Sequence, residues 1–287
     1  MELLVAQGYS VTDAGAVCAI SRSSYYRQRG VFQSTGEPPE PAEARVREKI
    51  REICQAHPFW GYRRVTAWLR YREATWVNHK KVYRVMGEEG LTVNRKQRQR
   101  IPKSVRPKPR ADRPRQYWGI DMTKVLIPNL GWVYLVIVLD WYTKKIVGWD
   151  LALRSRAAEW KQVLEQAVNA EFPDGVRGAG LNLISDNGTQ PTATTFLKAT
   201  VTLEINHIFT TYNNPKGNAD TERMMRTIKE EVLWLQEFTS LEQAREVIDR
   251  WIRVDYHQQY VHSALGYRSP QEFEQQVKQQ QLLMNAA

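Results

Sequence analysis

The alternation of apolar and polar positions divides the chain into segments of different period. Residues 116–127 mix aromatic and β-branched side chains around Asp121 and predict a strand. Residues 131–142 (GWVYLVIVLDWY) are so continuously apolar that they predict a strand buried on both faces. Residues 144–153 predict a third strand, completing a meander. A helix is expected over 157–170, then a short strand over 181–185 that Asn187-Gly188 ends sharply, then a strand over 202–209. The loop TTYNNPKG leads to a helix beginning near Asn218, and 240–256 forms an amphipathic helix with Ala244, Val247, Ile248 and Trp251 inward, suited to cover the sheet.

Upstream, the period is helical. In 9–29, Thr12 is placed to cap a first helix with Ala16, Val17 and Ile20 inward. Ser21 is placed to cap a second, with Tyr25 and Tyr26 packing back and Arg22, Arg27 and Arg29 outward. This fits a helix-turn-helix or an ordinary helical hairpin. A second module follows: a helix over 43–56, another over 62–71 with Val65, Trp68 and Leu69 inward, and a third capped by Asn78 and ending at Gly90. The third exposes Lys80, Lys81 and Arg84, a face able to contact phosphate.

Charge adds a feature that periodicity does not show. The chain carries a net +10, and the 21 residues from Arg95 to Arg115 hold ten Lys/Arg against the single acid Asp112, so +9 of the excess lies there. Pro102, Pro107, Pro109 and Pro114 keep this segment extended. Arg95, Arg98, Arg100, Lys103, Arg106, Lys108 and Arg110 are thus candidate contacts to a DNA backbone, against the alternative of a solubilising spacer. Cys18 and Cys54 form no metal-binding or disulfide pattern, and no apolar run is long enough to span a membrane. A cytoplasmic protein is expected.

Three acids carry the chemistry. Asp121 lies in WGIDMT, Asp186 in LNLISDNGTQ and Glu222 in NADTERMMRTIKEE; 35 residues separate the last two, and Lys229 lies seven beyond Glu222. Carboxylates brought together from distant parts of a chain repel one another, which makes them poor as structure and good as an oxygen cage for hard cations. Two such ions stabilise the entering and leaving oxygens of an in-line attack on a phosphodiester. Asn218, Glu222, Met225 or Arg226, and Lys229 share one helix face, so Glu222 can ligate metal while Arg226 and Lys229 reach DNA phosphates. A salt-bridged, solvated helix is the plain alternative. Asp140 and Asp150 are strand-end aspartates of the kind that make turns, and His207 and His262 read as packed residues, the latter bracing the C-terminal segment.

These strings, with HPFWGYRRVTAWLR, VNHKKVYRVMGEEGL, VLDWYTKKIVGWDL and HSALGYRSPQEF in the same order, resemble the retroviral-integrase-like DDE transposases. Within them the chain is similar to the second-reading-frame product of bacterial insertion sequences of the IS-three group. The resemblance implies an α/β protein: an RNase H-like catalytic core, a mixed five-stranded sheet with helices, preceded by small all-α helix-turn-helix-type DNA-binding modules. It implies Asp121, Asp186 and Glu222 as catalytic ligands of two Mg²⁺ ions, with Mn²⁺ able to substitute. Lys229, Arg226, Asn218, Lys80, Lys81 and Arg84 become DNA contacts. The expected division is 1–30, 40–93, a basic linker 94–116, a catalytic core 117–235 and a helical extension 236–287.

The implied partners are double-stranded DNA, as terminal inverted repeats and target, and further copies of the chain in a synaptic complex. A first-frame helix-turn-helix and leucine-zipper protein, fused or separate, is a further implied partner. The implied reaction joins one nicked element end to the other through a circular intermediate. The rival readings are an RNase H-like nuclease without transfer activity and a non-catalytic DNA-binding regulator of transposition.

Overall fold

The computed structural model describes residues 4–5, 7–8, 10–18, 20, 41–93, 109–210 and 217–285. The chain forms two compact units, Met1–Lys49 and Ile50–Ala287. In the first, helix α1 (Val11–Val17) is capped by Ser10, whose Oγ accepts from Asp13 N at 3.1 Å. The expected cap, Thr12, is instead an exposed residue of the helix. With the helix starting earlier, Ala14 and Gly15 are buried, while Ala16 and Val17 face outward. The second helix expected from Ser21 onward lies outside the described residues.

Helix α2 (Pro41–Ala56) runs across the boundary between the units, and α3 (Tyr62–Tyr71) and α4 (His79–Glu88) follow. Val65 and Leu69 of α3 are buried, with Trp68 half-buried, as their spacing predicts. Asn78 Oδ1 accepts from Lys80 N at 2.9 Å and so caps α4. Beyond α4 the chain turns at Gly90, where φ is +68°, a conformation glycine adopts without steric cost.

The sheet is built from β1 (Tyr117–Ile127), β2 (Gly131–Asp140), β3 (Ile146–Ala152), β4 (Asn182–Ser185) and β5 (Asn206–Phe209), in the order β3-β2-β1-β4-β5. The first three make the expected antiparallel meander, and β4 and β5 run parallel to β1. That mixed order is the RNase H-like arrangement. Helix α5 (Ala157–Glu171) crosses from β3 to β4, and α6 (Thr194–Thr202) from β4 to β5.

One face of the sheet, with Trp118 and Ile120 of β1 and Val136 and Val138 of β2, packs on Trp160, Val163, Leu164 and Phe196 of these helices. Residues 133 and 135–139 of β2 are all buried, so this strand is covered on both faces. The stretch from Thr202 was expected to be strand, but α6 occupies 194–202 and β5 begins only at Asn206. The β-branched run TTFLKATVT favours extended chain locally. Burial of Phe196, Ala199 and Thr200, at helical spacing, overrides that preference.

Helix α7 (Ala219–Ile228) continues into a π-helical turn, Lys229–Leu233. Helix α8 (Leu241–Arg250), capped by Ser240, continues into a π-helical stretch, Trp251–Gln259. Ala244, Ile248 and Trp251 are buried, and Arg245 pairs with Asp150 at 3.0 Å, so this segment covers β3 as expected. A 3₁₀ turn, Ser263–Leu265, and helix α9 (Pro270–Asn285) end the described chain.

The α3–α4 module is fastened to these late elements. Glu231 accepts from Trp60 Nε1 at 2.6 Å and lies 2.7 Å from His57 Nδ1. The His57 and Trp60 rings stack at 3.8 Å. Arg72 grips Glu272 with two bonds of 2.7 and 2.9 Å and donates to Gln259 O at 2.8 Å.

Two half-buried histidines make the fold acid-sensitive. His257 accepts from Ile146 N at 3.1 Å, and burial, reinforced by Lys145 against Glu274 and Glu171, pulls it down to about 4. His262 accepts from Ala264 N at 3.3 Å and braces the C-terminal segment; burial, with Lys144, Arg64 and Arg223 against Asp220, pulls it down to about 3. Each is neutral in the fold and takes up a proton near pH 6.5 once unfolded. Their contribution is therefore intact above pH 6.5 and is lost as pH falls toward 4. Calorimetry is expected to show Tm falling between pH 7 and pH 5, and less steeply in His257→Gln.

Candidate active site

Register sets the first two acids side by side. On β1, Gly119 pairs with Ile184 of the parallel strand β4. Carried two residues further, the same register sets Asp121 level with Asp186, just beyond the C-terminal end of β4. Asp186 is held there by the loop itself: its Oδ1 accepts from Gly188 N at 3.0 Å, and Asn187 Nδ2 donates to Thr210 O at 2.6 Å.

The third acid arrives on α7, which lies on the sheet face opposite Trp118 and Ile120. Its seat is Gly119: a Cβ there would fall 1.9 Å from Thr221 Oγ1 and 2.5 Å from Trp141 Nε1. Trp141 Nε1 donates to that same Thr221 hydroxyl at 3.0 Å. An isolated glycine within a strand pattern signals such close approach, and WGID carried that signal unread. Met224, Met225 and Ile228 bury the inner face of α7, leaving Glu222 and Arg226 exposed and Lys229 half-buried.

Electrostatics links the three acids. The Asp121 carboxyl is pushed up to about 6, first by burial and then by the charges of Asp186 and Glu222, against the Met122 N–H bond and Lys229. All three acids and Lys229 therefore share one field. As the side chains stand, no three His, Cys, Asp or Glu residues among the described residues are gathered closely enough to hold an ion.

The other expected contacts divide. Asn218 was expected at the DNA face; it is buried instead, with Nδ2 donating to Ile120 O at 3.5 Å, because the start of α7 packs directly on β1. Arg226 is exposed but bonds Glu230 at 2.6 Å, the i,i+4 pair that the plain reading of this helix foresaw. On α4, Lys80 and Arg84 are exposed and Lys81 is half-buried; Arg84 lies 3.6 Å from Glu88. Arg110 is exposed, whereas Arg95, Arg98, Arg100, Lys103, Arg106 and Lys108 lie outside the described residues.

The strand-end aspartates are structural. Asp140 accepts from the backbone N–H groups of Arg115, Tyr142 and Thr143 and from the Thr143 hydroxyl, and Asp150 pairs with Arg245. His207 is packed at 4.2 Å from Phe209 and bonded to Ser185 at 2.8 Å.

Comparison with known proteins agrees with this geometry. An HTH-like domain matches residues 41–99, and integrase core domains match 111–215 and 203–270. A 39.2 kDa protein of insertion element IS476 from Xanthomonas euvesicatoria is 31% identical over 245 residues, covering 85% of this chain and 68% of the relative. The chain belongs to the insertion-sequence transposases with an integrase core. The transposase InsD of insertion element IS2 from Escherichia coli is 25% identical over 290 residues, covering 94% of this chain and 92% of its own. The transposase of IS904 from Lactococcus lactis is 28% identical over 165 residues, covering 58% and 63% respectively. Among solved structures, the catalytic core of BIV integrase overlaps 58% of this transposase and 99% of its own chain, at a TM-score of 0.43 and 16% identity. The integrase core match and the transposase relatives make this transposase a DDE polynucleotidyl transferase, consistent with the IS-three group, and no helix among its described residues is long and apolar enough to cross a membrane.

Proposed function

We propose that the chain binds the inverted repeats at the ends of its element, frees a 3′-hydroxyl by divalent-metal-dependent hydrolysis, and uses that hydroxyl in strand transfer. The observation that carries this reading is the shared field of Asp121 midway along β1, Asp186 just past the end of the parallel neighbour β4, and Glu222 and Lys229 on the helical run above them. The donor set is all oxygen and all acidic, and the burial and mutual repulsion felt by Asp121 are what a hard cation relieves. It therefore fits Mg²⁺, with Mn²⁺ as substitute. When bound, a pair of such ions activates the attacking oxygen and stabilises the leaving one.

The chain's own groups do the rest. Asp121, on a buried strand, fixes the position from which the other acids are measured. Lys229 carries a charge that attracts a phosphate oxygen and repels metal, so it positions DNA. In the first step a water oxygen attacks phosphorus and the bond to the 3′-oxygen breaks, leaving a 3′-hydroxyl. In the second, that oxygen attacks another phosphodiester, whose own 3′-oxygen leaves. The chain works on DNA in the bacterial cytoplasm, as a dimer or larger synaptic complex, with a first-frame protein fused or in attendance. The basic linker tracks the DNA backbone, and Lys80, Lys81 and Arg84 of α4 face an element end.

A labelled duplex bearing the flanking repeats of the gene, incubated with the chain and Mg²⁺, tests this. The expected products are a 3′-nick at the element end and a joined strand, both absent in excess chelator. Nicking without joining would leave the nuclease reading, and end binding with neither product the regulator reading.

A further inference from the structure

The HSALGYRS string takes no part in the acid cluster, yet its backbone is held in an unusual shape. His262 N donates to Arg268 O at 3.1 Å and Tyr267 N to His262 O at 2.9 Å, closing a tight turn. Within it Gly266 and Tyr267 both stand at φ +65°. Glycine accepts that conformation, but for a tyrosine it is strained, and such strain persists where a side chain must be aimed.

Tyr267 is aimed into a cavity of about 460 Å³ between this turn and the α3–α4 module. Tyr62 and Tyr83 line it from the module, their rings 5.1 Å apart, with Arg63, Arg64 and Ser263 among the polar walls and Met86 and Val93 as an apolar floor. Arg64 is braced by aromatic faces, its guanidinium carbon 4.9 Å from the Tyr260 ring and 5.5 Å from Trp60. No acid lines the cavity, and among the described residues neither Arg63 nor Arg64 has a carboxylate partner.

Three tyrosines and two uncompensated guanidinium groups in one open cavity match a single chemistry: aromatic faces for a base and cations for its phosphates. An uncharged organic ligand would leave the arginines unused. We propose that this cavity takes one unstacked nucleotide of the bound DNA, drawn out of the duplex beside the α3–α4 module. The inference rests on the proposed DNA-binding function.

The full chain is titrated with two duplexes of equal length, one fully paired and one carrying a single unpaired 2-aminopurine. Stacking of one base predicts about ten-fold tighter binding of the second, with quenching of its fluorescence. Tyr83→Ala and Tyr267→Asn, the latter keeping a residue that tolerates positive φ, are expected to abolish the preference and the quenching while binding of the paired duplex stays unchanged. Arg63→Ala weakens both probes. Equal affinity for the two duplexes, or quenching that survives both tyrosine substitutions, would overturn the inference alone. Failure to bind either duplex would overturn it together with the DNA-binding reading.

Discussion

Asp121→Asn is expected to abolish cleavage and strand transfer, by about 10³-fold or more, and at the same time to raise Tm in metal-free buffer. The two effects have one cause. Burial and the charges of Asp186 and Glu222 push the Asp121 carboxyl up to about 6. A neutral amide of the same shape removes that repulsion and still accepts from Met122 N, which bonds Asp121 Oδ1 at 2.8 Å. Asp186→Asn and Glu222→Gln should lose activity equally but raise Tm less, because each removes only its own repulsion of Asp121 and leaves that carboxyl's burial in place. Parallel strand-transfer assays and thermal melts in chelator check the set. An Asp121→Asn protein that retains activity, or melts several degrees below the parent, contradicts the assignment.

The second large effect is expected at a residue with no functional group. Gly119→Ala places a methyl 1.9 Å from Thr221 Oγ1 and 2.5 Å from Trp141 Nε1, so α7 must lift or the strand must bend. Overpacking of this kind costs about 1–3 kcal/mol, a Tm loss of roughly 2–10 °C for a domain of this size. The loss of catalysis should exceed what the loss of stability explains, since the helix that lifts carries Glu222 and Lys229. Thr221→Ala removes the nearest clashing atom and should restore part of both Tm and activity to Gly119→Ala. A single Gly119→Ala variant with parental strand transfer would show that α7 is not seated as described.

The legible parts of the molecule were those written in local patterns. The meander followed from period and continuous apolarity and the α3 bounds from Val65, Trp68 and Leu69; the acids stood out in their own strings, and the register of β1 and β4 sets two of them level. What could not be read depended on distant partners. α6 looks extended because Thr194, Thr195, Thr200, Val201 and Thr202 are β-branched, and only packing against β5 and α5 makes it a helix. Asn218 shares a helix face with Lys229 on paper, but the approach of α7 to Gly119 puts the asparagine underneath. The bonds of Glu231 to His57 and Trp60 span more than 170 positions, beyond the reach of any window. Tyr260 is buried against Trp60, their rings 5.9 Å apart, a contact 200 positions long.

That Glu231 junction bears on how such a protein can change in evolution. The acid sits two residues past Lys229, on the same continuous helical run as the chemistry, and its side chain is almost wholly inside. Its two partners belong to the HTH-like match. A replacement module without the matching histidine and indole would strand a buried charge. The HTH-like module and the integrase core are therefore held by a buried ionic junction, and exposed positions of α4 can vary without disturbing it while His57 and Trp60 cannot.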